Sequence, residues 1–276
     1  MKKFFLIKGE IKMKKIICLL LVCILAFATV ACNDQSTTKP TEAPTTKPTE
    51  SSTTKPTEPE DVIDPPISDV TVMSWEEYIA AEIGSKVVIE AYVQGHQSWW
   101  DNKITIYAED EVGGYFLYDF PCSAETAEKL VAGTKIRVYG YKAAWAGEIE
   151  IVTDELDPDY ARIEVLEGNY VAEPKNLTHL LGSEELVNYQ NMLVKFEGLT
   201  VVSISYKNGA PGDDIYVTFS YNDAEYQFCV ERYLTGPETE LYQLVGTLNA
   251  GDIVDVVGFA YWYNGINTHI TSITVK

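Results

Sequence analysis

Beyond about residue 86, apolar and polar residues alternate at strand period, and the alternation comes in two matching sets. Val87, Ile89, Ala91 and Val93 predict a first strand, Ile104 and Ile106 a second, and Tyr115 to Phe120 a third after the turn residues Gly113 and Gly114. A helix is expected over 123–131, then a hairpin whose first arm carries Ile136 and Val138 and whose glycines are Gly140 and Gly147. Ahead of the strands, Ser74-Trp-Glu-Glu77 forms a capping box for a short helix from Trp75 to about Glu82, ended by Gly84. The second set runs in the same order. Ser183 opens a helix, Val194, Phe196 and Gly198 match Val87, Ile89 and Ala91, Ile215 and Val217 match Ile104 and Ile106, and Tyr226 matches Tyr115. Pro237 leads into a helix over 238–245, and Gly251, Gly258 and Gly265 repeat Gly133, Gly140 and Gly147 at a constant offset of 118. The offset grows from 107 to 111 to 118 along the pair, as expected when loops lengthen between fixed strands.

Three strands, a helix and two strands is the order of a five-stranded Greek-key barrel, so each set resembles an OB-fold. A sandwich of Greek-key strands is the rival architecture. The expected fold is mainly β: two tandem five-stranded OB-fold-like barrels, each with short helices, after a disordered linker. The boundaries read as 1–32 signal segment, 33–68 linker, 69–160 module 1, 161–176 inter-module linker and 177–276 module 2.

The N-terminal region has a different logic. Lysines precede an apolar run from Ile16 to Ala28 that is too short to span a bilayer comfortably, and Thr29-Val30-Ala31-Cys32 follows. Met13 reads as a better start than Met1. This stretch resembles bacterial lipoprotein signals, which implies that Cys32 is lipidated and becomes the mature N-terminus; Thr29 departs from the usual leucine. Thr-Thr-Lys-Pro-Thr-Glu then recurs from Thr37, Thr45 and Thr53. Such a stretch has nothing apolar to bury and its prolines favour extended backbone. At ~3.1 Å per residue, residues 33–68 would reach on the order of 100 Å. The combination resembles Gram-positive, Firmicutes-type surface lipoproteins, which implies an extracellular protein held to the membrane by its lipid and projecting through the cell wall.

Net charge is −20, but six lysines and one glutamate precede Cys32, leaving 15 basic against 40 acidic residues and a net of −25. Affinity for polyanions rests on Lys and Arg, so no nucleic-acid partner is expected. Cys122 and Cys229 are the only cysteines of the body and are expected as free buried thiols. His96, His179 and His269 lack zinc spacing, and the chain contains no nucleophile elbow, phosphate loop or dinucleotide fingerprint. No metal, no cofactor and no enzymatic activity are expected, and the protein is expected to be a monomer.

The OB resemblance implies a ligand over strands two and three, between the loop joining strands one and two and the loop joining four and five. Aromatic residues concentrate there. Module 1 places Trp99 and Trp100 in the first loop, Tyr107 at the end of strand two and Trp145 in the second loop; module 2 places Tyr206 in the first and Tyr261, Trp262 and Tyr263 in the second. Flat rings beside Gln94, Gln97 and Asn102 suit sugar stacking with hydrogen-bonded hydroxyls. The alternative is that these rings plug barrel ends or pack one module on the other. The expected function is a non-catalytic surface binding protein for an oligosaccharide, with an envelope-protein interaction module as the rival and single-stranded nucleic acid disfavoured by charge.

Overall fold

In the computed structural model, residues 71–276 are described; the signal segment, Cys32 and the Thr/Pro linker lie outside the described residues. Helix α1 (Trp75–Ala80) starts at the capping box, where Ser74 Oγ accepts from Glu77 N and Glu77 Oε2 accepts from Ser74 N at 2.8 Å. Five strands follow: β1 (Lys86–His96), β2 (Lys103–Glu109), β3 (Gly114–Pro121), β4 (Thr134–Trp145) and β5 (Glu148–Val152), with α2 (Ala124–Ala127) between β3 and β4. The expected helix over 123–131 thus contracts to four residues. Val131 is exposed, so a longer helix would bury little beyond Leu130.

β1 pairs antiparallel with both β2 and β4, β3 pairs with β2, and the parallel bridge Leu117↔Ile151 joins β3 to β5, closing the barrel. Val87, Ile89, Ile104, Ile106, Leu117, Phe120, Ile136 and Val138 fill it. β4 pairs β1 from Lys135 to Tyr141 and β5 from Tyr141 to Trp145, with Gly140 just before the residue that both pairings share. A Cβ at Gly140 would fall 2.5 Å from Ile151 Cγ2, so the bend requires its absence.

The inter-module linker is not simply a connector. β6 (Arg162–Asn169) adds to the edge of β4 along Lys135↔Leu166 to Tyr139↔Arg162, and β7 (Lys175–Asn176) lies parallel to the next strand. The alternation in β6 is short, with Ile163 and Val165 between charged residues, so its edge position reads as linker in the sequence. Module 2 then repeats the barrel with β8 (Leu193–Tyr206), β9 (Ile215–Tyr221), β10 (Ala224–Val230), α3 (Glu240–Val245), β11 (Ile253–Phe259) and β12 (His269–Val275). The helix opened by Ser183 is 3-10, over Glu184–Tyr189. The pairings are those of module 1, including the parallel bridge Cys229↔His269 and closure of β11 on β8. Val87↔Gly140 in module 1 has its counterpart in Val194↔Gly258, as the repeat predicts. Cys122 and Cys229 are both free and buried.

Candidate ligand cleft and the module seam

The face formed by strands two and three is split between two uses. Its inner half is covered by module 2: Tyr107 of β2 and Phe116 of β3 are buried against Phe259, with Leu193, Leu234 and Tyr261 around them. Tyr107 stacks on Phe259 with ring centroids 4.2 Å apart and planes 5° from parallel, and Phe116 meets Tyr261 edge-on. Such pairs contribute about 0.5–1.5 kcal/mol beyond burial. The Tyr107 hydroxyl and His269 Nδ1 share a hydrogen bond of 2.5 Å, and burial pushes His269 down to about 4, so its ring is neutral. Tyr107 is therefore a seam residue and not a ligand platform, correcting the expectation from its position on strand two.

Two carboxylates are sealed into the same seam. Glu109 Oε2 accepts from Leu193 N at 2.7 Å, while its Oε1 has no partner; burial pushes the carboxyl up to about 7. Glu148 accepts from Asn191 Nδ2 at 2.5 Å and from Trp262 N at 2.7 Å; burial dominates these donors and raises it to about 8. Further cross-module bonds run from Gln190 Nε2 to the Gly147 carbonyl and from Asn264 N to the Ala146 carbonyl.

The outer half of the face opens into a cleft of about 540 Å³, lined by Gln97, Ser98, Trp100, Ile104, Thr105, Tyr118, Asp119, Glu231 and Tyr233. Each ring is placed by a local device. Asp101 and Asn102 both have φ near +50°, making the tight turn that pairs Trp100 with Lys103 and leaves Trp100 60% exposed at the hairpin tip. The register of β2 on β3 slips between Ile104 and Ile106, so Tyr118 and Asp119 together oppose Thr105, whose Oγ1 accepts from Asp119 N. That bulge re-aims both side chains into the cleft. Tyr233 follows β10 in a turn held by Glu231 Oε2, which accepts from Tyr233 N and Leu234 N at 2.9 and 2.8 Å. The Tyr233 carbonyl accepts from Ser98 N at 2.7 Å, tying the first loop of module 1 to module 2.

The other aromatic candidates separate. Trp99 is 38% exposed but tied down by its Nε1 donating to the Cys122 carbonyl at 2.7 Å, and both it and the exposed Trp145 lie outside the cleft lining, so the three tryptophans do not make one platform. Tyr206 packs near Tyr242, Trp262 lies against Gly147 and the module 2 core, and Tyr261 stacks on His269 at 4.3 Å. Tyr263 is 53% exposed and lines a separate hollow on module 2. Tyr118, Tyr233 and Glu231 are cleft residues that sequence reasoning misses. Tyr118 stands in an expected strand but reaches the cleft through a bulge, and Tyr233 comes from the other module, so only the outward phase of Tyr118 carries any signal.

No family model and no curated protein matches the chain. Among solved structures, the tetrameric p202 HIN2 matches 71% of this chain and 96% of its own at 11% identity and a TM-score of 0.32. A murine DNA-binding protein bound to double-stranded DNA matches 68% and 94% at 10% identity and 0.33. A replication protein A heterotrimer bound to single-stranded DNA matches 69% and 49% at 10% identity and 0.29. DNA is present in several of these structures, and the expectation of no nucleic-acid partner, which rested on net charge, does not hold as an exclusion. Counterion release depends on which cations meet the phosphates, a local matter that net charge does not decide. By its strand order, pairing and closure, the described part of the chain is a tandem pair of OB-fold barrels.

Proposed function

We propose that this chain is a non-catalytic binding protein, tethered to the outer face of the cytoplasmic membrane through Cys32 and the Thr/Pro linker, that holds an oligosaccharide in the cleft of Trp100, Tyr118 and Tyr233. The supporting observation is the lining itself. Three exposed rings face one cleft with Gln97, Ser98 and Thr105 beside them, so flat apolar faces for sugar rings stand next to neutral hydrogen-bonding groups for hydroxyls. Module 2 contributes Tyr233, so the cleft exists only where the two barrels meet.

Calorimetry of Trp100→Ala against the parent tests the cleft. Loss of one stacked ring is expected to weaken binding by about 1–3 kcal/mol, the scale of a base on an aromatic platform, without lowering the melting temperature of so exposed a position. Equal affinity in the variant would remove the cleft as the site. The tether predicts that Cys32→Ala moves the protein from the membrane fraction to the soluble fraction; a mature-sized variant still in the membrane would refute it. A second reading places a single-stranded nucleic acid on the same rings, because aromatic faces stack bases as readily as sugars. Titrating a thymidine oligonucleotide at two salt concentrations separates the readings: a strand held by phosphate contacts loses affinity steeply with salt, whereas a stacked neutral sugar does not.

A further inference from the structure

The cleft continues past Glu231. That carboxylate also lines a second hollow, of about 320 Å³, with Asp214, Tyr216, Gln227 and Tyr263 of module 2. The second hollow shares Gln227, Tyr263 and Asn267 with a third, also of about 320 Å³, which reaches Glu225. The three follow strands two and three of both barrels, from Thr105 and Tyr118 of β2 and β3 to Tyr216 and Gln227 of β9 and β10. β10 alone has seven residues, about 23 Å at ~3.3 Å per residue, long enough for several sugar units.

We propose that these hollows form one groove that binds a linear oligosaccharide whose sugar units carry free amino groups. The inference rests on the glycan reading above and adds length and charge to it. No Lys or Arg lines any of the three hollows, whereas Asp119, Glu231, Asp214 and Glu225 do. Asp119 and Asp214 have cations of their own, Lys103 at 3.7 Å and Lys207 at 2.9 Å. Glu231, at the junction of the first two hollows, makes no ion pair among the described residues. One of its oxygens holds the Tyr233 and Leu234 amides, and the other has no protein donor among the described residues. Burial pushes its carboxyl up to about 7, so it gains from a cation brought beside it. An ammonium group supplies a charge-assisted hydrogen bond to that free oxygen and attraction to the faces of the flanking tyrosines. A neutral sugar supplies neither, and an anionic chain meets four carboxylates.

The test is calorimetry of the full chain at about pH 7, where the Glu231 carboxyl is about half ionised, with β-1,4-linked glucosamine oligomers of two and six units and with the N-acetylated six-unit oligomer. The six-unit amine is expected to bind ~10-fold or more tighter than its acetylated counterpart, the scale of a hydrogen bond to a charged group, and tighter than the two-unit amine. Glu231→Gln should erase the preference for the six-unit amine over its acetylated counterpart. Trp100→Ala in the near hollow and Tyr263→Ala beyond Glu231 should each weaken the six-unit ligand. Equal binding of the amine and acetylated oligomers by the parent, a comparison that needs no variant, would overturn the charge selection while leaving the glycan reading intact. Loss on Trp100→Ala with none on Tyr263→Ala would overturn the continuity of the groove. If no oligomer bound, the glycan reading itself would fall and this inference with it.

Discussion

Glu109→Gln should change how stability depends on pH. In the folded chain the Glu109 carboxyl is raised from 4.5 to about 7 by burial, which outweighs the Leu193 N–H and the distant Lys175, with Asp110 adding to the rise. Between these values the folded state binds the proton and the unfolded state does not, so stability is fully present below about pH 4.5 and falls as pH rises through about 7. A tenfold difference in proton affinity between the two states is worth ~1.36 kcal/mol, so the whole effect is about 3.4 kcal/mol, of which about 2.5 kcal/mol is lost between about pH 5 and 8.5. A glutamine keeps an acceptor for Leu193 N–H but has no proton to lose. Urea unfolding of parent and variant at both pH values isolates this contribution, because His269, whose lowered pKa adds stability as pH rises from about 4 to 6.5, is common to both proteins. The variant should gain on the parent by about 2.5 kcal/mol between the two conditions. Parallel pH profiles would show that Glu109 is already ionised in the folded seam and that the burial argument is wrong.

Tyr107→Phe keeps the ring stacked on Phe259 but leaves His269 Nδ1 buried without its hydrogen-bond partner, and should cost about 1–3 kcal/mol in urea unfolding; a neutral result would mean that the imidazole finds another partner. Gly258→Ala would set a Cβ 2.3 Å from the His269 carbonyl oxygen, backbone that cannot step aside, and should lower stability by about 1–3 kcal/mol or more in a thermal melt. An unchanged melting temperature would contradict the close approach of β11 and β12 at that glycine.

How far the sequence reveals this molecule depends on what each residue faces. Strand period and glycine spacing are local, so the two barrels and even the equivalence of Gly140 with Gly258 are legible from the chain. β2 shows where legibility stops. Ile104 and Ile106 point into the barrel as the alternation says, yet Thr105, Tyr107 and Glu109 on the opposite phase are buried as well, because a second barrel lies across them or a bulge closes over them. A tyrosine and a glutamate at outward positions read as solvent-facing, and no periodicity records that another module covers them. The cleft has the same origin: Trp100 is visible in its loop, but the ring that faces it, Tyr233, belongs to the other module.

The way the barrels meet also limits how many can be joined. The contact is heterologous: strands two and three of module 1 receive strands four and five of module 2, so a further copy would need the same receiving surface on module 2. The receiving pair Tyr107↔Phe116 has its counterpart in Thr218↔Gln227 of module 2, and Glu109 is matched there by Ser220. Where module 1 offers two aromatic rings to a neighbour, module 2 presents a hydroxyl and an amide. That face of module 2 therefore lacks the apolar seat on which a third barrel could dock in the same way, and stays open along the groove.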